Sequence, residues 1–214
     1  MRGTDGIALS SGTHIFRTNV IVPEGSTLSI DPGAHLLMAP GVSLFSYSAV
    51  QSKGAKERPV VIQALNPKKP WGVFAVLNAS EQSVFRHTRI EDGSDATFAG
   101  RSFSGSLSMR ASDLEFLDGY IARSHADDGI HIYGSRAHIA RSTFEDVSMD
   151  GIDIDFGTPD SLFEKNIFRN GGGDAIDLSF SDITLRENAV TGCGDKGISV
   201  GEASQPIIEK QIII

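Results

Sequence analysis

A chain of 214 residues with 40% hydrophobic content is long enough for one domain with a substantial core. A net charge of −8 and a pI near 5.2 argue against nucleic acid or an anionic membrane surface as the principal partner. No window is apolar and long enough for a membrane span, and the single cysteine, Cys193, excludes an intramolecular disulfide framework. Cys193 reads as a small core or turn residue. Met1–Gly12 reads as part of an N-terminal cap and lacks the basic-then-apolar order of a signal peptide. The stretches "VIVPEGSTLSIDPGAHLLMAPGVSLFSYSAV", "RPVVIQAL" and "PWGVFAVLNAS" alternate short apolar runs with turn signals such as "PEG" and "DPG", which predicts short strands. The basic run with Lys53, Lys56, Arg58, Lys68 and Lys69 reads as a solvated loop and rim beside one of those strands.

Beyond this point one spacing recurs: an apolar residue, a polar one three later, and an apolar one two further on. It occurs as Phe85/Thr88/Ile90, Met109/Ser112/Leu114, Ile139/Ser142/Phe144, Phe163/Asn166/Phe168, Leu185/Asn188/Val190 and Ile208/Gln211/Ile213, with polar members 24, 30, 24, 22 and 23 residues apart. A repeat of this period implies stacked units, each too small to bury its own apolar side. Runs at helical periodicity are missing, so the units are short strands coiling into a solenoid. A second repeat is in step with the first: Asp128-Gly129-Ile130-His131-Ile132, Asp150-Gly151-Ile152-Asp153-Ile154, Asp174-Ala175-Ile176-Asp177-Leu178 and Lys196-Gly197-Ile198-Ser199-Val200. Alternation sends the aliphatic members inward, and the small residue before them marks a close backbone approach. Two strands per coil follow from this reading, with the Thr/Ser/Asn/Gln column as an internal polar ladder. Residues 1–80 become cap and early coils, and 81–214 regular coils, of one domain. The interval of 30 predicts an insertion of about seven residues within "FLDGYIARSHADDG", on the binding face.

The repeats, with "DGIDIDF", "GDAIDLS" and "GDKGISVGE", resemble the pectin-lyase-like superfamily of right-handed parallel β-helix proteins, and the resemblance covers nearly the whole chain. It implies an all-β, single-stranded right-handed parallel β-helix of roughly eight or nine coils of 22–24 residues, about 40 Å long. Among its members the chain is most similar to bacterial secreted or cell-surface proteins. The Asn-Thr-Asp, Gly-His-Gly and Arg-Ile-Lys segments of polygalacturonases and the Asp-Pro-His-Asp of mannuronan epimerases are absent, so no named activity carries over.

Outward positions hold the chemistry. One column reads His131, Asp153, Asp177, Ser199 and the next Tyr133, Asp155, Ser179, Gly201, with Asp128, Asp150 and Asp174 at the preceding corner. Ionised carboxylates one rung apart repel unless protonated, paired or bridged by a cation. Three explanations stand. Asp128, Asp150 and Asp174 can bond backbone amides at the corner, or supply oxygen ligands to Ca²⁺. Asp153, Asp177, Asp155 and His131 can serve as acid and base on a polysaccharide, with Tyr120, Arg123, His125, Tyr133 and Lys196 contacting it. Phe156 is a further aromatic candidate beside Tyr120 and Tyr133. The expected function is therefore a face that binds polysaccharide or a cell-surface glycan, Ca²⁺, or both. The alternatives are a polysaccharide lyase, uronan epimerase or glycoside hydrolase, and a purely structural module. The closing "PIIEKQIII" predicts a coil with an apolar edge, pointing to a truncated chain, a covering partner or end-to-end self-association.

Overall fold

The computed structural model describes residues 6–214. Met1–Asp5 of the expected cap lie outside the described residues. The described chain is all β: three parallel sheets of nine, nine and eight strands, here A, B and C, plus one two-stranded antiparallel hairpin. Each coil contributes one strand to each sheet, except the last, whose described strands Ile207–Glu209 and Ile212–Ile213 join A and B. That corrects the expectation of two strands per coil, because the chain turns at three corners rather than two. Coil-to-coil register follows the repeat. In sheet A, Phe116, Ile139, Phe163, Leu185 and Ile208 are successive partners, 23, 24, 22 and 23 residues apart. In sheet C the partners are Phe74, Leu107, Ile130, Ile152, Ile176 and Ile198. Parallel strands about 4.8 Å apart turn these columns into continuous stacks. The rings of Phe85, Phe116, Phe144 and Phe168 follow one another with centroids 6.3, 6.4 and 4.8 Å apart.

The corner between sheets A and B explains the sequence spacing. A left-handed residue (His87, Asp118, Arg141, Lys165, Glu187, Lys210; φ 43–56°) turns the chain, and the next residue points its side chain inward. That inward column is Thr88, Gly119, Ser142, Asn166, Asn188, Gln211. The Asn166 N–H and Nδ2 both donate to Asn188 Oδ1, at 3.0 and 3.1 Å. Gly119 N–H donates to Ser142 Oγ at 3.0 Å, and Asn188 N–H to Gln211 Oε1 at 3.1 Å. From Ser142 on, each side chain of the column thus satisfies an amide of the coil before it, and Thr88 instead pairs with the Ser52 hydroxyl and the Arg86 carbonyl.

Ser112 belongs elsewhere. It stands at the corner between sheets C and A, where its N–H donates to Ser135 Oγ at 2.9 Å. The two corners share one spacing, so the interval of 30 joined different columns. The longer coil runs from Thr88 to Gly119, and its extra residues form the hairpin Ala96–Phe98 and Arg101–Phe103, not a loop in 116–129. The hairpin lies over the outer face of sheet C. Phe98 stacks on Phe45 at 4.0 Å and Phe103 contacts it at 5.7 Å, closing a second small core with Val73, Ala75 and Leu77.

Lys53, Lys56, Arg58, Lys68 and Lys69 are all exposed, as read from sequence, and Cys193 packs partly buried against the core. Gly151 sits where a Cβ would come within 2.6 Å of both the Ala175 carbonyl and the Phe168 ring. The last coil exposes Ile207, Ile208, Ile212, Ile213 and Ile214. No helix among the described residues is long and apolar enough to cross a membrane.

Candidate functional site on the outer face of sheet C

Past the hairpin come the strands Gly105–Arg110, Asp128–Tyr133, Asp150–Asp155 and Ile176–Ser179; Ser106 and Ser108 of the first are still buried, and the outer face opens beyond it. Pairing places Ser108, His131, Asp153, Asp177 and Ser199 in one outward column, and Arg110, Tyr133, Asp155 and Ser179 in the next. His131 bridges the two. Its Nε2 lies 3.4 Å from Asp155 Oδ2 and 3.8 Å from Asp153 Oδ2. One ligand-capable atom from each of these three residues fits within a 4.8 Å cluster.

Burial dominates the electrostatics. It raises the Asp153 carboxyl to about 7, with Asp155, Asp177 and Asp150 adding like-charge repulsion. Asp128 rises to about 8 for the same first reason, with Asp153 next and Ser104 opposing. Burial also raises Asp150, opposed by the Asp174 amide. His131 is lowered by burial, which the hydrogen bond to Asp155 only partly offsets, so it is neutral at pH 7. Near neutrality the face therefore holds a protonatable carboxyl, further carboxylates and a neutral imidazole within reach of one another.

The corner aspartates do structural work. Asp150 Oδ1 accepts the Asp174 N–H and Asp174 Oδ1 accepts the Lys196 N–H, both at 2.6 Å. Asp128 pairs with Asp150 in the ladder and is buried. The Lys196 ammonium lies 2.6 Å from Asp195 and 3.7 Å from Asp174. One oxygen each of Asp150 and Asp174 is thus engaged by backbone. Among the described residues, His131, Asp153 and Asp155 form a group whose ligand-capable atoms converge, and an imidazole nitrogen beside two carboxylates is a donor set of the kind transition metals take.

Three residues expected beside the acidic columns lie elsewhere. Tyr120 begins a sheet B strand, with the Arg89 guanidinium 4.1 Å over its ring and its hydroxyl donating to Glu145 at 2.6 Å. Burial and Glu145 push that phenol up to about 12. Arg123 is bound by Glu91 and Asp92, at 2.5 and 2.7 Å. His125, with Arg123, Asp92 and Asp146, lines a cleft of about 600 Å³ along the corner between sheets B and C. A corner of the three-sided coil turns sheet B and its cleft away from the outer face of sheet C that carries the carboxylate columns.

Tyr133 does stand beside Asp155, and it opens a row of rings. Its centroid is 5.4 Å from that of Phe156, which is 4.8 Å from Phe180 with ring planes within 3°. Phe156 and Phe180 are each 47% exposed and occupy left-handed corner positions. Arg110 ends the row, its guanidinium 4.1 Å over Tyr133. Phe180 and Arg110 were missed from sequence. The available signal was the 24-residue interval between Phe156 and Phe180, each directly after an outward strand residue.

A family profile described as "right handed beta helix region" matches residues 72–213. Among solved structures, the Dettilon tailspike protein superposes over 92% of this chain with a TM-score of 0.67 and 11% identity. An alginate lyase from Paenibacillus sp. str. FPU-7 aligns over 86% of this chain and 93% of its own, with a TM-score of 0.31 and 11% identity. The chain spans 40% of the length of the tailspike it matches. No curated protein sequence matches it.

Proposed function

We propose that this chain, which belongs to the right-handed β-helix family, binds a polysaccharide along the open outer face of sheet C. The observation that carries the reading is the ring row Tyr133–Phe156–Phe180, its last two rings exposed, running beside the carboxylate columns with one ring per rung. Aromatic rings present an electron-rich face to the slightly positive C–H bonds of a sugar, and carboxylates accept from its hydroxyls. A polymer laid along the solenoid axis meets both sets at once on the rungs of Asp153/Asp155 and Asp177. A secreted or cell-surface setting, as the family resemblance implies, goes with such a ligand.

A catalytic version of this reading is favoured by Asp153. A carboxyl raised to about 7 is a general acid poised near neutrality, and Asp177 or Asp155 is the neighbouring base. Binding is tested by calorimetry against a panel of soluble polysaccharides with the native chain and Phe156→Ala/Phe180→Ala. Loss of binding in the variant supports the reading, and a panel in which nothing binds refutes it. Product analysis with Asp153→Asn separates the two versions: turnover that survives unchanged excludes Asp153 as the acid.

A further inference from the structure

The charge distribution on this face selects among polysaccharides. Asp153, Asp155 and Asp177 project outward over two adjacent rungs, Asp150 stands at their edge, and Glu202 lies beyond them, holding the Ser179 hydroxyl at 2.7 Å. Two cations border the face: Lys196 is paired with the carboxylates of Asp195 and Asp174 on the side away from the rings, and Arg110 stands at the Tyr133 end with, among the described residues, only a ring contact. Beside Phe156 and Phe180 the polar neighbours are Asp155, Ser179 and Glu202, which are acceptors or a hydroxyl. A uronate or sulfate group placed there would meet carboxylates of the same sign in a half-buried setting. A neutral sugar would not, and its hydroxyls are the donors that those carboxylates require.

We infer that the ligand segment bound over Phe156 and Phe180 is an uncharged glycan, its C–H groups packed against the exposed sides of the two stacked rings and its hydroxyls donating to Asp155 and Glu202. This rests on the polysaccharide reading above and narrows it. Specificity of this kind comes from a repulsive element, since the rings alone would accept neutral and acidic sugars alike. Uronan lyases and epimerases are then poor descriptions of the site, because both act on a sugar bearing a carboxylate. If the face is catalytic, hydrolysis of a neutral chain is the chemistry that its carboxyl groups suit.

The test uses the whole chain, calorimetric titration, and two sets of polymers: β-glucan, xylan, galactan and mannan against polygalacturonate, alginate and hyaluronate. The expected result is at least one neutral polymer bound, with affinity falling tenfold or more in Phe156→Ala/Phe180→Ala and changing little between 50 and 500 mM NaCl. The uronans should bind at least tenfold more weakly, improve as salt screens the repulsion, and improve further in Asp155→Asn/Asp177→Asn. Circular dichroism and melting confirm that each variant is folded. A uronan bound as tightly as any neutral polymer, with or without Ca²⁺, overturns the inference and leaves the polysaccharide reading standing. A neutral polymer bound equally well without the two phenylalanines overturns the ring assignment. Binding by neither set removes both.

Discussion

Replacing Asn188 by alanine probes the ladder that joins the coils. Its carboxamide is fully buried and makes three bonds: Oδ1 accepts the Asn166 N–H and Nδ2 at 3.0 and 3.1 Å, and Nδ2 donates to the Phe163 carbonyl at 3.0 Å. Asn166 keeps a second partner for Nδ2 in the Ile139 carbonyl, and the Phe163 carbonyl keeps its place in the parallel ladder with the strand Thr184–Arg186, so the group left stranded is the buried Asn166 N–H. At about 1–3 kcal/mol for a buried group left without a partner, the loss is about 1–3 kcal/mol. Asn188→Ser should recover part of it, because Ser142 serves the same column with a hydroxyl, accepting from Gly119 and donating to Ala140. Urea unfolding followed by circular dichroism reads the global change. Hydrogen exchange at Asn166 reads the local one, which a repeat array can show separately. The reasoning fails if Asn188→Ala costs less than about 0.5 kcal/mol, the range of an ordinary surface change, or if serine is no better than alanine.

Asp153→Asn should gain on the native chain as pH rises. The folded state holds its proton up to about 7, the unfolded state releases it near 3.8, so the native protein loses stability from about pH 4 to pH 7 while the variant does not. At about 1.4 kcal/mol per pH unit the ceiling is about 4 kcal/mol, and a difference in Tm that stays flat from pH 4 to 8 would contradict the burial of that carboxyl. Phe103→Ala should cost about 3–5 kcal/mol, as for other buried aromatics, and free the hairpin, read as new proteolytic cleavage near Ala99-Gly100; an unchanged digest would show that the hairpin holds without Phe103. Gly151→Ala should destabilise by about 1–3 kcal/mol through overpacking against Phe168 and the Ala175 carbonyl, and a neutral effect on Tm would mean that the adjoining coils shift freely.

The solenoid was legible because its period is enforced by stacking. Ile130, Ile152 and Ile176 must superpose for their columns to close, and a slip of one residue would turn every one of them outward. The number of strands per coil was not legible. One left-handed residue makes both the corner from A to B and the corner from C to A, so Arg141-Ser142 and Ala111-Ser112 look alike in sequence. The column needed a polar residue after Asp118 and has Gly119, whose N–H is a donor to the ladder rather than an acceptor within it. That gap drew Ser112 into the wrong column and displaced the insertion. The carboxylate columns were legible as repeats, but the contact between His131 and Asp155 is diagonal across rungs, where equal spacing gives no sign. Burial decided the rest: nothing in the sequence distinguishes Asp153, half-sunk beside its neighbours, from a solvated aspartate.

The hairpin determines where the open face begins. Below Ile21, which is exposed, the outward column of sheet C runs Phe45, Ala75, Ser108, His131, Asp153, Asp177 and Ser199. The apolar members, Phe45 and Ala75, fall under the hairpin, and the polar ones follow where it ends. The strand Gly105–Arg110 leaves the hairpin directly with its outward Ser106 and Ser108 still buried, and the face opens beyond it. A single insertion thus covers the rungs whose outward residues need burial and walls the acidic face at one end. The ring row starts on the next rung with Tyr133, so a bound polymer would enter from the direction of Phe180 and run toward Arg110 and the hairpin. That gives the face a direction that the repeat alone, identical in every coil, would not supply.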